Sequence, residues 1–131
     1  MMPVATLETF DGTTYAVGNE RARFTVYVVW ASWCVVCDET LFAAATLAQE
    51  NKEVEVVAIN RDERRAEALA YLERKGVRGV TLAADTDDVL YAKLGGHAMP
   101  EVLIVTRGGN VIRHEHGPLS LDEMRKSVVS D

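Results

Sequence analysis

Phe24-Thr25-Val26-Tyr27-Val28-Val29-Trp30 runs directly into Ala31-Ser32-Trp33-Cys34-Val35-Val36-Cys37. The first seven residues are mainly β-branched or aromatic and show no polar alternation, the pattern of a strand buried on both faces. From Cys34 to about Gln49, residues Cys37, Leu41, Ala44, Ala45 and Ala48 share one face at helical spacing, which predicts a helix. A buried strand therefore delivers a Cys-x-x-Cys pair to the start of a helix.

The flanking sequence extends this unit. Thr6 to Tyr15, with a turn at Asp11-Gly12, predicts an opening strand or extended arm. Val54–Ile59 reads as a second apolar strand, and Ala66, Leu69, Ala70 and Leu72 mark a helix stopped at Gly76. A short strand near Val80–Ala84 follows. The cluster Asp85-Thr86-Asp87-Asp88 opens a helix carrying Leu90, Tyr91 and Leu94, ended by Gly95-Gly96. Val102–Thr106 and Val111–Glu115, joined through Gly108-Gly109-Asn110, predict a hairpin, and Ser120 with Glu123 predicts a capping box for a terminal helix. Strand-helix alternation closed by a hairpin implies an α/β fold, a mixed sheet covered by helices on both sides.

The 131 residues show no repeat, low-complexity tract or linker, so one domain spanning 1–131 is expected. An apolar fraction of 48% and a charged fraction of 26% exclude wholesale disorder. No apolar run has the length of a membrane span. The net charge of -6 argues against nucleic acid as a partner, because phosphate backbones are bound by clustered Lys and Arg. Met1-Met2-Pro3-Val4 carries no basic stretch followed by an apolar core. Two expectations follow: a cytoplasmic protein, or the soluble part of a longer product.

At a helix N-terminus, unpaired backbone N–H groups and the positive end of the macrodipole favour an anion. A thiolate on Cys34 gains from both, and Cys37 is close enough to attack a mixed disulfide formed at Cys34. Zinc is the alternative use of the pair, with His114 and His116 as the remaining ligands of a Cys2His2 set. Those histidines also read as a solvent-facing pair on the hairpin's second strand. A purely structural disulfide is the third reading, weakened by how little entropy so short a loop removes. Redox chemistry is favoured, with no cofactor and no metal assigned.

The segment Val29-Trp30-Ala31-Ser32-Trp33-Cys34-Val35-Val36-Cys37 resembles the active-site segment of the thioredoxin superfamily, in particular its extracytoplasmic branch. Ala58-Ile59-Asn60, Ala68-Leu69-Ala70-Tyr71-Leu72, Ala98-Met99-Pro100-Glu101, Gly109-Asn110-Val111-Ile112-Arg113 and His116-Gly117-Pro118-Leu119 extend the likeness in order. Together they resemble the thiol:disulfide interchange proteins of cytochrome c maturation, the DsbE/CcmG type, over about residues 24 to 124.

The resemblance implies a thioredoxin-like fold with an extra αβ insertion. It implies a cis peptide at Met99-Pro100, with the Met99 backbone pairing with an extended substrate and Trp33 flanking the same surface. A partly buried core position is the alternative for Trp33. Three departures stand out. Val28 occupies the place of a buried aspartate in many thioredoxins. Glu101 follows the proline where thioredoxins usually have threonine, and is expected near the Cys37 thiol as its proton acceptor; a solvated strand-end carboxylate is the competing reading. Val35 and Val36 stand where the family usually has a proline. Glu63 also matches an acid in some relatives, although a charged helix start explains it as well.

The expected activity is thiol–disulfide exchange, mainly as a reductant, on disulfide-containing proteins such as apocytochrome c or its chaperone, with a membrane reductant as electron source. The implied location is periplasmic, membrane-anchored at full length, and the implied state monomeric. A general thioredoxin-like reductase and a non-catalytic binding module are the alternatives; an inert Cys34 thiol identifies the latter.

Overall fold

Seven strands and four helices stand among residues 1–61 and 63–129, the residues described in the computed structural model. In chain order they are β1 (Ala5–Thr9), β2 (Thr14–Val17), β3 (Phe24–Trp30), α1 (Cys37–Glu50), β4 (Val54–Arg61), α2 (Arg65–Lys75), β5 (Thr81–Asp85), α3 (Val89–Lys93), β6 (Glu101–Thr106), β7 (Asn110–His116) and α4 (Leu121–Ser127). The strands form one sheet in the order β2-β1-β5-β4-β3-β6-β7. All seven residues of β3 are buried, as their lack of alternation requires. β3, β4 and β5 are parallel, whereas β6 runs antiparallel to β3, and the β1–β2 and β6–β7 hairpins close the two edges.

The crossovers fix which face each helix covers. β3 to β4 and β4 to β5 step in the same direction across the sheet, so right-handed connections put α1 and α2 on one face. Leu41, Ala44 and Leu47 of α1, Ala68, Tyr71 and Leu72 of α2, and Met124 and Val128 of the C-terminal segment pack there on Val26, Val28, Val102 and Ile104. The step back from β5 to β6 places Leu90 of α3 on the opposite face, with Met2, Tyr27, Val29, Leu103 and Val105. The sheet is covered on both sides, three helices against one short one. α2 and β5 form the added αβ unit.

Three local features differ from the sequence reading. α1 begins at Cys37 rather than Cys34, because the chain first turns: Cys34 N–H donates to Ala31 O at 3.0 Å and Cys37 N–H to Cys34 O at 3.2 Å. The Asp85–Asp88 cluster forms a 3-10 turn, with Asp87 and Asp88 at positive φ. Buried Asp85 organises α3 by accepting from the N–H groups of Leu90 (2.9 Å) and Tyr91 (2.8 Å). At α4, Ser120 Oγ accepts from Glu123 N–H at 3.2 Å, but the Glu123 carboxylate accepts from Arg113 of β7 at 3.1 Å. Among the described residues no helix is long and apolar enough to cross a membrane.

Candidate active site

β3 ends at Trp30, and the next six residues carry the chain over the edge of the sheet into α1. Cys34 and Cys37 are joined as a disulfide with Cα atoms 5.5 Å apart. Cys34 keeps 6% of its surface exposed and Cys37 none, because Cys37 opens the helix and faces the sheet. Around this nearly closed disulfide, Trp33 (65% exposed), Val35 and Val36 stand in solvent. Trp33 is therefore no core residue. Exposed apolar side chains clustered on one loop are costly in water and suit contact with a polypeptide.

The loop is held from β4 and the turn after it. Glu63 accepts from Ser32 N–H at 2.8 Å, from the Ser32 hydroxyl, and from Asn60 Nδ2 at 2.8 Å. Asn60 is buried, and Ser32 lies two residues before Cys34. Glu63 is thus more than a charged helix start. Ser32 and Asn60 stand in the sequence segments that carry the resemblance but have no assigned role there; the Ser32 contact spans 31 positions and leaves no local signature. Asp38 and Glu39 add two carboxylates in the first turn of α1, one of them paired with Lys75 of α2 at 3.1 Å.

The Met99-Pro100 peptide is cis, and Met99 packs against the apolar cluster that contains both cysteines. The segment is anchored at both ends. Tyr91 Oη donates to Ala98 O at 2.7 Å, Gly117 N–H donates to Pro100 O at 2.9 Å, and Arg61 stacks 3.8 Å from the Tyr91 ring centroid while pairing with Asp88.

Glu101 lies elsewhere than expected. In the β3–β6 register it sits opposite Val29, and Val102 opposite Val28. Val28 and Val102 face the cysteines, so strand alternation turns Glu101 to the other face of the sheet. It is fully buried and takes hydrogen bonds from His97 N–H (3.1 Å) and Ala98 N–H (3.0 Å), with His114 Nε2 at 2.7 Å and His116 Nδ1 at 3.0 Å. Burial pushes its carboxyl pKa up, but the bonds from His116, His114, His97 and Ala98 outweigh it and hold the group below the usual carboxylate range. A carboxylate so engaged, facing away from Cys37, is not placed to take that thiol's proton. His114 and His116, turned towards Glu101, cannot complete a Cys2His2 set with thiols across the sheet; nor are they a free pair in solvent.

A family model described as redoxin matches residues 1–130. The thiol:disulfide interchange protein DsbE of Allochromatium vinosum is 36% identical over 92 residues, covering 70% of this chain and 50% of that protein. The DsbE of Tatumella citrea is 32% identical over 101 residues, 76% of this chain and 53% of the relative. The chain spans about half the length of these curated relatives. Among solved structures, MTB dsbF in mixed oxidized and reduced forms superposes with a TM-score of 0.84 at 25% identity, covering 95% of this chain and 92% of that one. A secreted Mycobacterium tuberculosis disulfide oxidoreductase homologous to E. coli DsbE gives a TM-score of 0.81 at 20% identity, covering 95% and 93%.

Proposed function

Because the chain belongs to the redoxin family and is a DsbE/CcmG-like member of the thioredoxin superfamily, we propose that it is a thiol–disulfide oxidoreductase that reduces disulfides in partner proteins. The observation that carries this is the Cys34–Cys37 disulfide at a strand-to-helix edge, beneath an exposed apolar collar and beside the cis-proline segment. In the reduced protein the Cys34 thiolate attacks a substrate disulfide. A Cys34–substrate bond forms, and the second substrate sulfur leaves as a thiolate. Cys37 then attacks the Cys34 sulfur, expels the remaining substrate thiolate and re-forms the internal disulfide; two electrons have passed to the substrate. Trp33 and the backbone of Met99 flank the incoming segment, with Pro100 setting the course of that backbone.

The reductant direction has an electrostatic basis. The positive end of α1 favours a Cys34 thiolate, whereas Asp38 and Glu39 in its first turn oppose one. A less stabilised thiolate leaves the dithiol form less favoured, and the protein gives up electrons more readily. Val28 cannot accept a proton and Glu101 faces away, which leaves Glu63 as the carboxylate bonded to the motif. By likeness to the DsbE relatives, the substrates are proteins of cytochrome c maturation (apocytochrome c or its chaperone), the electron source is a membrane reductant, and the location is the periplasm. We also infer a single domain acting as a monomer.

Replacing Cys37 with Ser traps the Cys34–substrate adduct, since attack proceeds and resolution cannot; Cys34→Ser gives no adduct. Release of substrate by the Cys37 variant at the unmodified rate would refute the assignment. Equilibration with glutathione tests direction: a reductant leaves the protein oxidised and glutathione reduced, and the reverse balance would make it an oxidant.

A further inference from the structure

The sequence holds three histidines, and all three stand around one carboxylate. His97 and His116 stack with ring centroids 4.1 Å apart, and the His114 and His116 rings lie 4.3 Å apart. Register produces this cluster: Glu101 pairs with His116 and Leu103 with His114 across β6 and β7, so all four point to the same face. His97 reaches the cluster from the loop after α3. One nitrogen each from His97 and His116 and one oxygen of Glu101 lie within 4.8 Å of one another.

We propose that His97, Glu101 and His116 bind a divalent transition-metal ion of the zinc type, on the face of the sheet opposite the disulfide. Two imidazoles and a carboxylate are a donor set that Zn(II) accepts in tetrahedral geometry with an open fourth position. Ligand atoms around such an ion lie about 3.3 Å apart, for bonds near 2.05 Å. His116 Nδ1 already stands 3.0 Å from Glu101, close to that spacing, and the adjustment that remains falls to the His97 and His116 rings, both exposed. Glu101 needs no such adjustment. Its carboxylate is already oriented by the His97 and Ala98 N–H groups, and His114 Nε2 at 2.7 Å stands as an outer partner of the kind that steadies a ligating carboxylate. Because the ligands come from the loop before Met99-Pro100, the head of β6 and the end of β7, the ion clips the cis-proline segment to the sheet. No thiol takes part, which separates this site from the sequence-level Cys2His2 alternative.

The test uses the oxidised protein, whose thiols are consumed in the disulfide. Calorimetric titration with Zn(II), and with Co(II) followed by its visible spectrum, is expected to show one equivalent bound with tetrahedral Co(II) bands. His97→Ala, on an exposed loop, and His116→Ala are each expected to weaken binding at least ~tenfold. The Cys34→Ser/Cys37→Ser double variant is expected to bind as the unmodified protein does. Absence of stoichiometric binding, unchanged affinity in both histidine variants, or loss of binding in the double cysteine variant would each overturn the proposal. Circular dichroism of the histidine variants separates loss of ligands from loss of fold.

Discussion

Glu63→Ala removes the acceptor that ties the segment before Cys34 to β4. Three donors lose their partner: Ser32 N–H, the Ser32 hydroxyl and Asn60 Nδ2. A hydrogen bond to a charged group contributes about 1.5–3 kcal/mol net, and leaving a buried donor unmatched costs about 1–3 kcal/mol. Ser32 is half-buried and can turn to water, so most of the loss arises at Asn60, which is only 1% exposed. A total of about 2–4 kcal/mol follows, short of the sum of three bonds because they share one acceptor group. For a chain of this size that lowers Tm by roughly 8–15 °C. Glu63→Gln keeps one acceptor oxygen and is expected to cost about 1 kcal/mol. Urea unfolding of the oxidised protein, with exposed Glu67→Ala as the control, measures both. A double-mutant cycle with Ser32→Ala is expected to show coupling of about 1 kcal/mol or more. If Glu63→Ala is no more destabilising than Glu67→Ala, the contact does not hold the loop.

In the fully reduced protein, a bulky maleimide is expected to label Cys34 before Cys37, which is the more deeply buried of the two; first labelling at Cys37 would reverse their roles. Leu47→Ala, at a 1% exposed position of α1, is expected to cost about 2–5 kcal/mol in urea unfolding through the cavity it leaves. Tyr91→Phe deletes the bond to Ala98 O but keeps the ring that Arg61 covers, for an expected loss of about 1 kcal/mol and faster amide exchange around Ala98. Burial, and for Tyr27 a hydrogen bond donated to Glu20, raise the Tyr15 and Tyr27 pKa values well above 10. Their contribution to stability is complete below the unfolded value near ~10 and is lost as pH rises beyond it, so their phenolate absorbance is expected to emerge only with alkaline unfolding.

What the sequence disclosed and what it hid divide along a physical line. β3 was legible because seven consecutive apolar residues have few alternatives to a central strand, and Gly76 and Gly95 end their helices through the left-handed conformation that glycine adopts freely. The cis bond at Pro100 came from resemblance, since local chemistry favours trans. The start of α1 was misplaced because the turn through Cys34 is closed by a backbone bond to Ala31, which side-chain periodicity does not record. The side on which Glu101 lies was hidden for a different reason. Val102, Leu103, Ile104 and Val105 are apolar in succession, so β6 offers no alternation from which to read the face of its first residue. Only the pairing of Glu101 with Val29 and His116 decides it.

That parity has a chemical consequence. A sheet one residue thick separates the buried sulfur of Cys37 from the buried carboxylate of Glu101, although both stand at the same end of the fold. Val29 and Glu101 pair across β3 and β6 on the face away from the disulfide, and the Met99-Pro100 segment leads directly into β6 at that point. Met99 packs on the cluster that contains the cysteines and also on the opposite one, so it touches the apolar packing of both faces. Tyr91, Gly117 and the Glu101 network all restrain the backbone on either side of it. Restraint of that kind keeps the edge proposed to pair with substrate in one geometry beforehand, so that less conformational freedom would be lost on binding. On the proposed function, the carboxylate behind the sheet acts on the cysteines in front of it by position alone, through the His97 and Ala98 N–H groups that it holds.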